Sequence, residues 1–458
     1  MLTGKEYRAS LDDGREVYYD GERVDVGSHE IFKRAIDVAV AGYDRFYDPA
    51  PGAISSYLKT PTSIEEMSAH SDMKVDPLSS TSYSSLMTLL TSADRIAEIR
   101  PEGSEAIRNY VKEVQVKDLR VVECITDAKG DRGKRPSQQE DQDAYLRVVE
   151  QRPDGVVVRG AKLHISSAAI AHELMTIPTK AMKPGEEEYA IAFAVPVNAP
   201  GVKIVNVTSE PLGANMQDSP VSADAHPPMG FVIYEDVFVP NERVFLNGET
   251  AAAASFAHAL GLWVRINGLT NMADEADMMV GFADLIAEAN GLERVAHIKD
   301  KIAEMVIHAT LVRATLEAAV ANSTVSPEGV VVPDELFANA GKYHGAALRG
   351  AMVQHIQDIA GGSLVTAPST RDLENPEVGE IIRKYMGTKQ SVDGAYRLKL
   401  FLALRDFAAS GYAGHHAVST IQAGGGLFAQ RVVTRSRYDM ANARRMALDK
   451  AGLDDPWA

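Results

Sequence analysis

The hydrophobic pattern of this chain changes period twice, and nothing else in the sequence constrains its fold as strongly. From about residue 28 to 116 apolar residues recur three and four apart, as in 29–46 and 83–99. That is the spacing of one helix face. From about 119 to 244 valine, isoleucine and phenylalanine alternate or run together, and the segments 146–149, 156–158, 191–197, 202–205 and 231–239 read as strands. Turn residues separate them: Pro153-Asp154-Gly155, Pro184-Gly185 and Asn198-Ala199-Pro200-Gly201. From Thr250 onward long alanine-rich segments with helical spacing return, at 252–264, 278–289, 296–323, 333–359 and 392–410. The expected fold is α+β: an N-terminal helical domain over 1–117, a middle β-domain over 118–248 and a C-terminal helical bundle over 249–458. The 458 residues suffice for a large core divided into two or three domains.

Charge and cysteine usage narrow the function classes. The formal net charge is −16, the wrong sign for coating a nucleic acid or an anionic membrane. A locally basic pocket remains compatible with it. A single cysteine, Cys124, allows no intrachain disulfide, as expected of a cytoplasmic protein. The opening MLTGKEYRASLDDGRE has no apolar core, so no signal peptide is expected. No run of about 18 apolar residues suggests a membrane span.

Two motifs carry the chemistry. Ile125-Thr126-Asp127-Ala128-Lys129-Gly130-Asp131-Arg132 is a polar loop after the apolar run 119–122, and Asp154-Gly155-Val156-Val157-Val158-Arg159-Gly160-Ala161-Lys162 is a turn feeding a valine-rich strand. A loop crowded with Thr, Asp, Lys and Arg beside a β-scaffold can hold a large polyanionic ligand. The same residues in isolation are equally what a capped surface loop contains. Gly424-Gly425-Gly426 has neither a preceding strand nor the spacing of a dinucleotide fingerprint. His415-His416 lacks an acidic or histidine partner at ligand spacing, which argues against a metal. Glu249 reads either as a base or as a carboxylate at a helix start. Gly361-Gly362 reads as a tight helix end.

The wording of the two motifs, TDAKGDR and VVRGAKLHIS, resembles the flavoprotein family that contains 4-hydroxyphenylacetate 3-monooxygenase and 4-hydroxybutyryl-CoA dehydratase. The resemblance runs through LTGKEY near the start, YAIAFAVP at 189–196, VFVPNERVF at 237–245, HIKDK at 297–301 and DIAGGSLVT at 358–366. It implies an acyl-CoA-dehydrogenase-like architecture, in agreement with the helix, strand, helix order. It further implies bound FAD, contacted by Thr126, Lys129, Asp131 and Arg132, by His164 and Ser166 at the strand end, and by Ala423, Gly424 and Gly425. His164, Ser166 and Asp127 become the candidate catalytic residues, and Tyr83 and Met87 fall at the substrate-binding positions. A hydroxyl or imidazole at the flavin edge can steer its reactivity by hydrogen bonding.

The dehydratase branch also carries an iron–sulfur cluster held by three cysteines and a histidine. Here those positions read Ser80, Ser84, Val264 and Asn271, so no cluster and no metal are expected. The branch's tyrosine, lysine and carboxylate positions read Gly268, Met272 and Ser419. Without a Lewis acid to take a hydroxide, dehydratase chemistry is disfavoured. The resemblance then implies an oxidoreductase: a flavin-dependent monooxygenase that receives reduced FAD (FADH2) from a separate flavin reductase and oxygenates a small, aromatic substrate. The alternative is a cluster-free flavin enzyme acting on an acyl-CoA. Alanine-rich C-terminal helices and the family likeness together imply a homotetramer. The purified protein should hold no stoichiometric iron or acid-labile sulfide. Stoichiometric iron by elemental analysis, retained in Cys124→Ser, would overturn the assignment of those four positions.

Overall fold

A computed structural model describes residues 1–73, 75–207, 215–222, 228–326, 329–388 and 391–455. Helices α1 (Gly4–Ser10), α2 (Glu30–Phe46), α3 (Ile64–Ser71), α4 (Pro77–Ala97) and α5 (Pro101–Lys117) come first. Asp76 caps α4 by accepting the Ser79 N–H, with Pro77 opening the helix. At the far end of α5, Asp118 turns left-handed with φ 53° and stops it.

Ten strands then build two sheets: β1 (Glu16–Tyr19), β2 (Glu22–Arg23), β3 (Val121–Cys124), β4 (Arg147–Arg152), β5 (Gly155–Ser166), β6 (Glu173–Thr176), β7 (Ile191–Pro196), β8 (Val202–Val207), β9 (Met229–Pro240) and β10 (Val244–Asn247). The larger sheet runs β2-β1-β8-β9-β5-β4 and the smaller β10-β7-β6-β3. Period-two alternation divides β3 between two cores. Val122 and Cys124 face the core shared by the sheets, and Val121 faces the helices.

The C-terminal half is helical: α6 (Ala253–Ala289), α7 (Ala296–Ala321), α8 (Glu335–Ala360), α9 (Ser363–Thr366), α10 (Thr370–Glu374), α11 (Gly379–Met386), α12 (Gly394–Ala409), α13 (Gly411–Gln422), α14 (Leu427–Arg437) and α15 (Met440–Ala451). A short hairpin, β11 (Thr324–Val325) with β12 (Val331–Val332), joins α7 to α8. No helix among the described residues is long and apolar enough to cross a membrane.

Two differences from the sequence reading have clear causes. Segments 252–264 and 278–289 belong to one 37-residue helix, α6. Its polar middle, with Arg265, Asn267, Asp274 and Glu275, hides the continuity, because α4, α7 and α8 all pack on it. Near the N-terminus, β1 and β2 join the larger sheet, β1 lying parallel to β8. The signal was Asp20-Gly21, a two-residue hairpin turn with φ 51° and 84°.

A buried arginine joins the N-terminal helices to the sheets. The Arg120 guanidinium pairs with Asp118 at 3.0 Å, both side chains 1% exposed. It lies 3.5 Å from the Tyr43 ring centroid and 4.7 Å from that of Tyr57. The Arg120 N–H donates to Nδ1 of His172 at 2.9 Å, so that imidazole is neutral and its Nε2 donates to the Ser10 hydroxyl at 2.8 Å. Burial, with Arg120 and Arg15 nearby, draws the His172 pKa from its ordinary 6.5 to about 3. The unfolded chain therefore binds a proton here that the folded chain refuses. This contribution is complete above pH 6.5 and is lost as pH falls toward about 3, by up to about 1.4 kcal/mol per pH unit. Urea unfolding across that range should show the slope in the native protein and a shallower one in His172→Gln.

Candidate functional site

The polar loop after β3 is fastened to β5 by one buried ammonium. Lys162 donates to Asp127 Oδ1 at 2.8 Å and to the carbonyls of Ile125 and Ile177 at 3.0 Å each. Asp127 also accepts the Leu146 N–H at 2.9 Å, and the Thr126 carbonyl accepts Leu163 N–H at 2.7 Å. Both charged side chains are 2% exposed. Burial pushes the Asp127 carboxyl up, and Lys162 opposes that shift. Asp127 therefore has its acceptor capacity directed into the protein, where it holds the loop.

Beyond Asp127 the loop turns outward. Lys129 takes φ 74°, and its N–H donates to Ala144 O at 2.8 Å. Its ammonium is drawn down by burial and by Arg132. Asp131 is exposed, accepts the Gly133 N–H at 2.9 Å and lies 3.9 Å from Lys134. Arg132 is exposed and Thr126 half-buried.

The end of β5 is irregular where the motif ends. Pairing with β9 shifts register between Lys162 and Ile165, and His164 there has φ 64° and is exposed. A bulge of this kind re-aims a side chain out of the sheet. Ser166, half-buried, has its hydroxyl 3.3 Å from the Met229 sulfur.

Helix α4 lies between this sheet and α6. On the sheet side, the Ser84 hydroxyl donates to Glu123 Oε1 at 2.5 Å. Burial pushes the Glu123 carboxyl up to about 7, against the pull of that hydrogen bond. On the other side, Tyr83 forms an edge contact with Trp263 at 5.7 Å and stacks on His70 at 3.6 Å. Burial raises the Tyr83 phenol well above its usual range. Burial also lowers His70 to about 4, and its Nε2 donates to Tyr57 O at 3.0 Å. Met87 is fully buried beside them in the same core. Asn267 of α6 donates to Ser80 O at 3.4 Å. Ser80, Thr81, Glu123, Thr126, Val264, Asn267 and Gly268 all keep partial exposure, although α4 packs against both β3 and α6. They lie where the sheet, α4 and α6 meet.

The glycine turn after α13 rests on α6 and α8. Gly424 and Gly425 have φ 70° and 85°. The Gly424 carbonyl accepts Arg265 Nε–H at 2.9 Å, and Gly425 O accepts from Gln430 at 2.6 Å. Lys342 of α8 donates to Thr420 O at 2.5 Å. Ala423 and Gly425 are exposed. Among the described residues no hydrogen bond joins this turn to the loop 126–132.

Other singled-out residues have structural partners. Glu249 accepts the Asn247 N–H at 2.7 Å and pairs with Arg100 at 3.1 Å. His416 lies 3.0 Å from Glu275, which Arg349 also holds. Gly361 ends α8 with φ 72°. Among the described residues no group of three or more His, Cys, Asp or Glu is arranged to hold a metal ion.

Sequence reasoning overlooked Glu123, His70, Arg265 and Lys342. Glu123 had a signal, as the one acid inside the apolar run VVEC. The other three needed the tertiary fold.

Residues 3–246 match the family described as 4-hydroxyphenylacetate 3-hydroxylase N terminal, and residues 253–452 match its C-terminal counterpart. The chain is 29% identical over 357 residues to 4-hydroxybutyryl-CoA dehydratase/vinylacetyl-CoA-Delta-isomerase of Clostridium aminobutyricum, covering 75% of this chain and 73% of that one. It is 28% identical over 444 residues to the 4-hydroxyphenylacetate 3-monooxygenase oxygenase component of Geobacillus sp. (strain PA-9), covering 90% and 88%. Its fold superposes with TM-score 0.87 on a crystal structure of such an oxygenase component complexed with FAD, at 24% identity over 98% of this chain and 99% of that one.

Removing the pin should leave Asp127 buried and uncompensated. Lys162→Met should cost about 3–5 kcal/mol in urea unfolding. Asp127→Asn in the same chain keeps the acceptor for Leu146 and removes the charge, so it should recover most of that loss. A double variant no more stable than Lys162→Met would refute the pin.

Proposed function

Because the chain belongs to the 4-hydroxyphenylacetate 3-hydroxylase family, we propose that it is the oxygenase of a two-component flavin-dependent monooxygenase. It would take FAD in reduced form from a separate reductase and hydroxylate a small aromatic substrate. The observation that carries this reading is the family match across both halves of the chain, with the motif loop locked to β5 by Lys162.

The residues present fit the cofactor. The loop 126–132 offers a half-buried hydroxyl, Thr126, and two outward cations, Lys129 and Arg132. At Gly424 the left-handed φ of 70° favours glycine, and a Cβ there would crowd Arg265 Cγ at 3.0 Å. Reduced flavin, when bound, supplies the electrons that activate molecular oxygen. The protein's part is to bind, orient and exclude water. Arg132 presents a fixed fork to a phosphate or flavin carbonyl. His164 and Ser166 stand at the strand end to hydrogen-bond the flavin edge. Asp127 positions the loop that carries Thr126 and Lys129. Tyr83 and Met87 are 2% and 0% exposed, packed with Trp263 and His70, so they would stand behind the substrate side rather than line it. Glu123, whose carboxyl burial pushes up to about 7, could accept a proton from a phenol. As in the resemblance, a homotetramer would bring the glycine turn toward a flavin bounded by a neighbouring subunit.

Similarity to the dehydratase favours a second reading, a cluster-free flavin enzyme acting on an acyl-CoA. Ser80, Ser84, Val264 and Asn271 stand where that branch holds its cluster, which ranks it second. One experiment separates the two. Protein loaded anaerobically with reduced FAD is mixed with oxygenated buffer and a panel of phenols under 18O2. Isotope in a hydroxylated product supports the monooxygenase. Absence of incorporation, with anaerobic turnover of an acyl-CoA panel, rejects it. In the same preparation, Arg132→Ala should weaken FAD binding more than about tenfold, or 1.4 kcal/mol. An unchanged dissociation constant would return this loop to the surface.

A further inference from the structure

Arg265 and Lys342 are cations in the interior of the C-terminal half, 6% and 1% exposed. Neither forms an ion pair with any described carboxylate. The acid whose charge reaches Arg265 is Glu335, and it is already held by His258 at 2.8 Å and Arg437 at 2.6 Å. Each buried cation has one protein hydrogen bond, to a backbone carbonyl: Arg265 Nε–H to Gly424 at 2.9 Å and Lys342 Nζ to Thr420 at 2.5 Å. The Arg265 terminal nitrogens and the remaining Lys342 protons have no described acceptor. Buried like charges without counter-charge are costly. Burial and the neighbouring Arg265 draw the Lys342 pKa down to about 8, so it remains mostly protonated at neutral pH.

The pair lies beneath backbone. Glycine stands at the contact points, so backbone rather than side chain covers the charges. A Cβ on Gly268 would meet Lys342 Cε at 3.2 Å, and one on Gly425 would lie 3.6 Å from Arg265 Nη2. Val264, Asn267, Gly268 and Gly424 are half-exposed and Gly425 is exposed. Two donors with like charge beneath partly exposed backbone suit an oxyanion, which can accept from a guanidinium and an ammonium.

We propose that Arg265 and Lys342, beneath the Gly424–Gly425 turn, form an oxyanion-binding subsite for the carboxylate or phosphate of a small ligand. It stands whether or not the monooxygenase reading holds, because it is read by binding to flavin-free protein.

The test is a melting-temperature titration of the flavin-free protein at constant ionic strength with inorganic phosphate, phenylacetate and phenylacetamide. Phosphate and phenylacetate should stabilise, and the neutral amide should not. Lys342→Met should lose at least about tenfold in apparent phosphate affinity without melting lower than the native protein, since it removes an uncompensated charge. A lysine serving only the fold would instead lower the melting temperature. Equal stabilisation by acid and amide, or phosphate binding unchanged in both Lys342→Met and Arg265→Met, overturns the proposal. If Lys342→Met fails to fold, the acid-against-amide comparison and Arg265→Met decide it. Two further arms identify the source of the anion. A flavin pyrophosphate is indicated if Lys342→Met weakens FAD and leaves riboflavin unchanged. A substrate acid is indicated if phenylacetate binds FAD-loaded and flavin-free protein alike.

Discussion

The candidate site depends on a single buried ammonium. Lys162 sits on β5, and its three acceptors come from the segment after β3 and from the chain leaving β6. A lysine that far inside a protein is stable only when its charge is matched and its protons are placed. Asp127 supplies the charge, and two carbonyls take the remaining protons. The consequence is geometric. Three chain segments that no turn connects are held in one register, and the outward residues of the loop inherit that rigidity. Sites built on such fixed backbone keep their ligands' geometry better than free loops do.

This explains what the sequence revealed and what it concealed. The motif residues Asp127 and Lys162 stood out because they are unusual in their setting: a charge in a loop after an apolar strand, and another at the end of a valine run. Their prominence suggested ligand contact, and the fold gives them to each other. Helix and strand periods placed most elements well, because burial on one face writes the period into the sequence. The long helix α6 was read as two because its centre is covered by three helices and carries polar residues that find partners there. Strand β6 was invisible for the opposite reason. All four of its residues are buried, so no alternation remains to be read.

The meeting of the sheet, α4 and α6 was least legible. Glu123 and Ser84 lie 39 residues apart, and Tyr83 meets His70 and Trp263 only after three separate elements have docked. Such meetings have no local signature. The positions that the resemblance assigns to a cluster read Ser80, Ser84, Val264 and Asn271. The structure gives one of them a new partner, since Ser84 now supports a carboxyl on β3.

The sheet side of α4 and the helices α6 and α8 differ in the sign of the charge they leave uncompensated. Glu123, on the sheet side of α4, has a hydroxyl partner and no described cation, and its carboxyl sits near neutrality as a result. Arg265 and Lys342, carried by α6 and α8, have carbonyl partners and no described ion pair. Several other buried ions in this chain of net charge −16 are neutralised locally, Arg120 by Asp118, Lys162 by Asp127 and Arg349 by Glu275, while buried Asp406 is held by the backbone N–H groups of Val221 and Ser222. Arg265 and Lys342, by contrast, are buried cations with no described counter-charge. Buried groups of that kind concentrate where a ligand completes the set.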